Sequence, residues 1–226
     1  MKYLNNNDSN TASINTPQAI RIKICGMRRL EDIEMANELL PDYIGFIFVK
    51  DRRRYVPPEE AVGLKTALNR QIKAVGVFVD EEPETVAGLA NSGIIDVIQL
   101  HGSEDETYIS KLRALTDRPI IKCFVVKDNT LADGLEQSSA DMILIDAGAG
   151  DGKTFDWKIL KSIRRPYFLA GGLDPDNVSD AVNMLHPHGV DVSSGVETDG
   201  FKDPDKMRAF IKAIRLACGA QHDCST

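Results

Sequence analysis

The chain lacks the features of membrane-spanning, secreted and nucleic-acid-binding proteins. Its 226 residues contain no apolar run near the roughly 20 residues that a membrane-spanning helix requires. The first 19 residues are rich in Asn and Ser, without the apolar segment of a secretory signal. The net charge is -7 and the only dense basic run is Arg52–Arg54, whereas nucleic-acid binding normally needs a basic patch. We therefore expect no membrane and no nucleic-acid partner.

Cysteine is scarce and is not spaced as in known metal or redox motifs. The four cysteines are Cys25, Cys123, Cys218 and Cys224, and no two of them form a C-x2-C pair. A chain of this length can bury a core without disulfide bonds, so free thiols are expected. This pattern favours a reducing, cytoplasmic location.

The chain also lacks a G-x-G-x-x-G fingerprint after its first strand, which disfavours an open dinucleotide-binding sheet. Short β-branched runs instead alternate with amphipathic stretches, as in parallel strands joined by helices. Strands are predicted at Ile20 to Cys25, Tyr43 to Phe48, Lys73 to Phe78, Val97 to Gln99, Ile120 to Val125, Met142 to Ile145, Tyr167 to Ala170 and Val190 to Val192. Helices are predicted to begin near Arg29, Pro58, Pro83, Asp105, Thr130, Trp157, Asp176 and Asp203.

Eight such units predict an α/β fold, a single-domain (βα)8 TIM barrel. The barrel domain is expected to span residues 20–217, between a flexible polar leader (1–19) and a flexible tail (218–226). Reactive groups of this fold lie at the carboxyl ends of the strands and in the loops that follow.

The loops after the last two predicted strands are suited to bind a phosphate. Gly171 and Gly172 follow the seventh strand, and Ser193, Ser194 and Gly195 follow the eighth. Glycines let the backbone approach an anion, and consecutive N–H groups supply donors. Either motif alone would more often be a tight turn or a helix cap. Together, at the two loops where this fold binds phosphate, they predict a phosphate site.

Two strand ends carry groups capable of acid–base chemistry. Cys25 ends the first strand, where a thiolate could act as a base, and Asp146 ends the sixth, where a carboxylic acid could donate a proton. The alternatives are a buried apolar cysteine and a carboxylate that caps a nearby N–H. A base and an acid on opposite sides of one phosphate site would suit an aldose–ketose isomerisation.

Further candidates follow the second and fourth strands. Arg54 could bind a substrate carboxylate through its forked guanidinium, while Arg52 and Arg53 are expected to be solvated. Gln99 and His101 could either contact the substrate or brace the rim of the barrel.

Together these segments resemble the phosphoribosylanthranilate isomerase family of tryptophan biosynthesis. The shared motifs run in order from about Ile22 to Arg215: KICG, FVKDRRRYV, QLHG, ID followed by GDGKTFDW, AGGLDPDNV and DVSSGVE. The resemblance implies an Amadori rearrangement of N-(5-phosphoribosyl)anthranilate, a phosphosugar substrate, without metal or organic cofactor. We expect the chain to be a monomer or a homodimer.

The resemblance also implies residue roles. Cys25 would be the general base and Asp146 the general acid, Arg54 would bind the anthranilate carboxylate, and Asp191 would bind a ribose hydroxyl. The phosphate would be held by the backbones of Gly171, Gly172, Ser193, Ser194 and Gly195.

Two positions depart from the family pattern. Arg52 stands where the family usually has Ser, and Asp151 adds a negative charge to the glycine-rich loop after the sixth strand.

Two other functions stay open: a lyase or synthase that shares the phosphate site, and a non-catalytic phosphosugar-binding scaffold. The first would need lysine and glutamate groups at strand ends, and Lys122 and Lys73 are not well placed for that.

Overall fold

The computed structural model describes residues 19–126, 130–146 and 157–220. Eight parallel strands pair in sequence order and close into a barrel, because β1 pairs with both β2 and β8. The strands are β1 (Arg21–Cys25), β2 (Tyr43–Ile47), β3 (Lys73–Phe78), β4 (Val97–Leu100), β5 (Ile120–Val125), β6 (Met142–Asp146), β7 (Tyr167–Ala170) and β8 (Gly189–Val192). The predicted TIM barrel is confirmed, with each strand boundary within one residue of its prediction.

Six α-helices surround the barrel in the described residues: α1 (Leu30–Leu39), α2 (Pro58–Ala67), α3 (Pro83–Asn91), α4 (Glu106–Arg113), α5 (Val178–Leu185) and α6 (Pro204–Ala220). Proline opens α2 and α3 at the first helical position, where its missing N–H costs no hydrogen bond. The Asp105 carboxylate caps α4 by accepting from the N–H of Tyr108. Helix α6 continues past residue 217, where the barrel domain was predicted to end.

The helix predicted near Thr130 is wrong. Where the segment between β5 and β6 is described, it forms a turn, with Gly134 at a φ of 77°. A positive φ is incompatible with a continuing right-handed helix. The segment predicted near Trp157 is a short 3-10 helix, Trp157–Ser162.

Two apolar layers position the site. The larger lies between the strands and the helices and includes Ile22 and Ile24 of β1. The smaller fills the barrel interior and consists of Val75, Val97, Ile121, Cys123, Leu144, Phe168 and Ala170. Side chains alternate along a strand, so Lys23 and Cys25 face away from the helices and into the barrel.

Two short strands, β9 (Glu197–Thr198) and β10 (Phe201–Lys202), form a hairpin between β8 and α6. No helix among the described residues is long and apolar enough to cross a membrane.

Phe168 provides a test of the inner layer. It is fully buried and makes edge-on contacts with Tyr43 and His188. Truncation to Ala should lower the free energy of unfolding by about 3–5 kcal/mol, because the barrel interior cannot collapse onto the gap. The matched control is Phe201→Ala, at an exposed site, which should cost less than about 1.5 kcal/mol. Equal losses in urea unfolding would show that Phe168 is not tightly packed.

Candidate active site

A cavity of about 700 Å³ opens at the carboxyl ends of the strands. It contains every residue that the sequence analysis proposed for catalysis or binding: Cys25, Arg54, Gln99, His101, Asp146, Gly171, Gly172, Asp191, Ser193, Ser194 and Gly195. Strands far apart in sequence thus deliver these side chains and backbones to one place. The loop that contains Asp151 lies outside the described residues.

The base of the cavity holds a buried ion pair that the sequence analysis missed. Lys23 lies opposite Asp191 in the β1–β8 register, and its Nζ donates to both carboxylate oxygens at 2.9 Å. Lys23 is 0% exposed and Asp191 8% exposed. Burial opposes the charge on Lys23, but attraction to Asp191 and Cys25 outweighs it and raises the pKa of Lys23. Lys23 therefore stays positively charged, two residues before Cys25, the candidate base.

Cys25 shares this interior face and is itself buried. Burial raises the pKa of the Cys25 thiol, although the positive charges of Lys23 and Lys202 act in the opposite direction. The carbonyl oxygen of Cys25 accepts a hydrogen bond from the Ser193 hydroxyl at 3.2 Å, which joins the end of β1 to the loop after β8.

Glu197 is the centre of a second charged cluster, also missed from sequence. Arg54 donates to it through Nε at 2.6 Å and Nη2 at 2.9 Å, Arg53 through Nη2 at 2.6 Å, and Lys202 through Nζ at 3.0 Å. Burial alone would raise the pKa of Glu197, but the hydrogen bonds from Arg54 and Lys202 lower it to about 2. Arg53 is exposed to solvent, as expected, and in addition its guanidinium pairs with Glu197 beside Arg54.

The fork between Arg54 and Glu197 uses only one edge of the guanidinium. Arginine has five N–H donors, and Nε and Nη2 supply the two that Glu197 accepts. Arg54 lines the cavity, so its remaining donors are available to a second carboxylate.

The opposite wall carries Gln99, His101 and Asp146. The Gln99 carboxamide contacts His101 Nδ1 at 3.0 Å, and His101 Nε2 lies 3.5 Å from the Asp146 carboxylate. His101 Nε2 also lies 3.6 Å from the Cys123 thiol. Among the described residues, Gln99 Oε1 is the one buried side-chain nitrogen or oxygen atom without a hydrogen-bond partner.

The loops after β7 and β8 contact each other and form the remaining side of the cavity. A Cβ on Gly195 would lie 1.9 Å from the Leu173 carbonyl oxygen, so only glycine permits this approach. Gly171 and Gly172 both have positive φ. Ser194 and Gly195 open a 3-10 turn, whose first N–H groups have no acceptor within the turn. These amides line the cavity and can donate to an anion.

The three contributors that sequence reasoning missed are Lys23, Glu197 and Lys202. Lys23 had a detectable signal, since a lysine two residues before Cys25 in a parallel strand must share its interior face. Glu197 and Lys202 acquire their roles through the β9–β10 hairpin, which has no comparable sequence signal.

The family model that matches this chain and its curated relatives share one description. Residues 22–213 match the family model described as N-(5'-phosphoribosyl)anthranilate (PRA) isomerase. The N-(5'-phosphoribosyl)anthranilate isomerase of Thermoanaerobacter pseudethanolicus is 42% identical over 203 residues, which cover 87% of this chain and 98% of that protein.

Solved structures that match this chain include phosphoribosylanthranilate isomerases, in agreement with the sequence comparisons. Phosphoribosylanthranilate isomerase from Thermotoga maritima superposes with a TM-score of 0.77 at 35% identity, covering 87% of this chain and 99% of that one. A phosphoribosylanthranilate isomerase in complex with reduced 1-(o-carboxyphenylamino)-1-deoxyribulose 5-phosphate has a TM-score of 0.75 at 34% identity, with the same coverage. Another structure describes the Thermotoga maritima isomerase as dimeric.

The Glu197 cluster predicts a specific dependence of stability on pH. Folding lowers the pKa of Glu197 from 4.5 to about 2, so its stabilisation is complete above pH 4.5 and is lost as the pH falls through about 2. Glu197→Gln should therefore lower the free energy of unfolding by about 2 kcal/mol near neutral pH, and the deficit should shrink toward acid.

Urea unfolding from about pH 7 to about pH 2.5 measures this deficit. The control is Glu34→Gln on the exposed face of α1, which should match the wild type throughout. A deficit for Glu197→Gln that stays constant with pH would contradict the ionic origin of the stabilisation.

Proposed function

This chain belongs to the N-(5'-phosphoribosyl)anthranilate isomerase family of tryptophan biosynthesis and is an isomerase; on that premise, we propose that Cys25 and Asp146 are its general base and general acid. The substrate is N-(5-phosphoribosyl)anthranilate, and the product is 1-(2-carboxyphenylamino)-1-deoxyribulose 5-phosphate. One observation carries the proposal: both side chains line the single cavity that also contains Arg54 and the loops after β7 and β8.

The two anions of the substrate match the two sets of donors. The free edge of the Arg54 guanidinium binds the anthranilate carboxylate, with its other edge fixed by Glu197. The phosphate is bound by the backbone N–H groups of the loops after β7 and β8, at Gly171, Gly172, Ser193, Ser194 and Gly195. An anion at each end of the cavity orients the ribose between them, which is how positioning contributes to catalysis.

The reaction then needs one proton donated and one removed. Asp146 protonates the furanose ring oxygen as the C1'–O bond breaks, and the anthranilate nitrogen lone pair forms the C1'=N bond of a Schiff base. The Cys25 thiolate removes the C2' proton, and the electrons of that C–H bond form the C1'=C2' bond of an enolamine. The enolamine tautomerises, with a C2' carbonyl formed and C1' protonated. The rearrangement is internal to the substrate, so it needs no external oxidant or reductant.

Neighbouring residues support these roles. Lys23 and Lys202 supply positive charge beside the Cys25 thiolate. Asp191 directs its carboxylate into the cavity while bound to Lys23, and its remaining lone pairs can accept from a ribose hydroxyl. Gln99 and His101 line the side of the cavity next to Asp146, where their side chains are placed to bind the ribose.

A reducing, cytoplasmic setting agrees with this mechanism, since it depends on a free Cys25, and Cys25, Cys123 and Cys218 are all free. Whether the chain works as a monomer or a homodimer stays a prediction.

The mechanism predicts that both reacting side chains are required. Cys25→Ser and Asp146→Asn should each lower kcat/KM by at least about 100-fold, because each removes one proton transfer while the two anion sites persist. Consumption of freshly made phosphoribosylanthranilate, followed by fluorescence, measures the rate.

Circular dichroism melting should show folded proteins, and Cys218→Ser, remote from the cavity, should keep full activity. Near wild-type turnover in both variants would disprove the assignment, and binding without turnover by the wild type would favour a non-catalytic scaffold.

The raised pKa of Cys25 predicts how the rate depends on pH. A raised pKa leaves the thiol protonated at neutral pH, so the reactive thiolate increases with pH. We expect log(kcat/KM) to rise with a slope of about one from about pH 6.5 to about pH 8. The rate of Cys25 alkylation by iodoacetamide, measured without substrate, should rise in parallel. A profile that is flat across this range would exclude a thiol with a raised pKa as the base.

A further inference from the structure

Three side chains from neighbouring strands converge beside the cavity. His101 follows β4, Cys123 lies in β5 and Asp146 ends β6, and one ligand-capable atom of each lies within 4.8 Å of the other two. The proton transfers described above do not use Cys123. We propose that these three residues form a binding site for a zinc ion, and that zinc bound there inhibits the isomerase.

The spacing of the three groups fits tetrahedral zinc. Zn–N, Zn–O and Zn–S bonds of about 2.0, about 2.1 and about 2.3 Å give tetrahedral edges of about 3.6 Å between N and S and about 3.4 Å between N and O. The observed separations are 3.6 Å from His101 Nε2 to Cys123 Sγ and 3.5 Å from His101 Nε2 to Asp146 Oδ2. Cys123 Sγ and the Asp146 carboxylate lie within 4.8 Å of each other, so closing this third separation to a tetrahedral edge is the movement that zinc binding requires.

The ligand chemistry also favours zinc. Imidazole, thiolate and carboxylate are the three ligand types that zinc commonly combines, whereas Mg²⁺ and Ca²⁺ prefer oxygen ligands alone. One thiolate and one carboxylate balance the charge of the ion, so the site carries no net charge. The absence of net charge matters because Cys123 is only 4% exposed and lies among apolar side chains, where an unbalanced charge would be costly to bury.

Gln99 supplies the supporting contact that a zinc-binding histidine usually has. Zinc at Nε2 requires the proton on Nδ1, and Gln99 contacts Nδ1 at 3.0 Å. A half-turn of the carboxamide directs Oε1, which otherwise lacks a partner, toward that proton. Metal binding would thus fix one tautomer of His101 and satisfy a buried oxygen.

Zinc can reach the site from the cavity. The side chains of His101 and Asp146 are 29% and 27% exposed and line the cavity, while Cys123 contributes from the barrel interior. Three protein ligands leave the fourth tetrahedral position facing the substrate space. Inhibition follows if Asp146 is the general acid, so this part of the inference rests on the proposed function, whereas metal binding does not.

Cobalt spectroscopy tests the site without reference to activity. Tetrahedral Co²⁺ absorbs strongly in the visible, and a cysteine ligand adds a thiolate-to-cobalt band in the near ultraviolet. Co²⁺ titrated into chelator-treated protein should produce both signals at one ion per chain, and Zn²⁺ should displace them. Cys123→Ala should abolish the near-ultraviolet band and weaken binding by at least about tenfold. The matched control, Cys218→Ala, should retain both.

Inhibition is tested separately with Zn²⁺ and the isomerase assay. Zinc should lower kcat/KM of the wild type by at least about tenfold, and EDTA should restore it. Cys123→Ala should keep its basal rate and lose the sensitivity to zinc. If Cys123→Ala fails to fold, His101→Asn, used for the cobalt titration alone, provides the second test of the ligand set.

The outcomes separate the two proposals. Absence of the thiolate-to-cobalt band in the wild type, or equal Co²⁺ affinity in wild type and Cys123→Ala, would overturn the site and leave an S–H···N hydrogen bond as the role of Cys123. A normal cobalt spectrum without zinc inhibition would retain the site and argue against Asp146 as the general acid. Zinc inhibition that persists in Cys123→Ala would place the inhibitory ion elsewhere.

Discussion

The buried ion pair between Lys23 and Asp191 joins the first and last strands of the barrel, and the arrangement of the cavity depends on it. The β1–β8 register sets Lys23 opposite Asp191. A shift of β1 by one residue would turn Lys23 toward the apolar layer under the helices and leave Asp191 without its partner in the barrel interior, and loss of one partner from such a pair typically costs about 3–5 kcal/mol. The register is thereby fixed, and with it the position of Cys25 relative to the loop Ser193–Gly195.

Positive charge is concentrated where the anionic substrate needs it, although the chain as a whole carries a net charge of -7. Arg53, Arg54 and Lys202 surround the single carboxylate of Glu197, which leaves an excess of positive charge at this side of the cavity. Glu197 holds the guanidinium of Arg54 in place before any substrate carboxylate arrives, so less side-chain entropy is lost on binding. The same acidic residue therefore stabilises the fold and prepares an anion site.

Strand positions and strand-end residues could be predicted from sequence because both follow local rules. A period of two and the ends of apolar runs located β1 to β8, and barrel topology then brought Cys25, Asp146 and Arg54 to one mouth. The error near Thr130 has a local cause, since Gly134 adopts a positive φ that apolar spacing does not reveal. Glu197 could not have been found this way, because its partners at positions 53, 54 and 202 are brought to it only by the closed barrel and the hairpin.

The same reasoning explains why the cysteine spacing gave no indication of a metal site. Motifs such as C-x2-C report ligands held by one loop, whereas His101, Cys123 and Asp146 come from three adjacent parallel strands and are neighbours only across the sheet. His101 and Asp146 already line the cavity for reasons of substrate chemistry, so a single thiol in β5 completes a set of three ligands. In the barrel interior a small apolar residue could fill the position of Cys123 almost as well. Sensitivity to zinc therefore depends on one side chain that packing alone does not require.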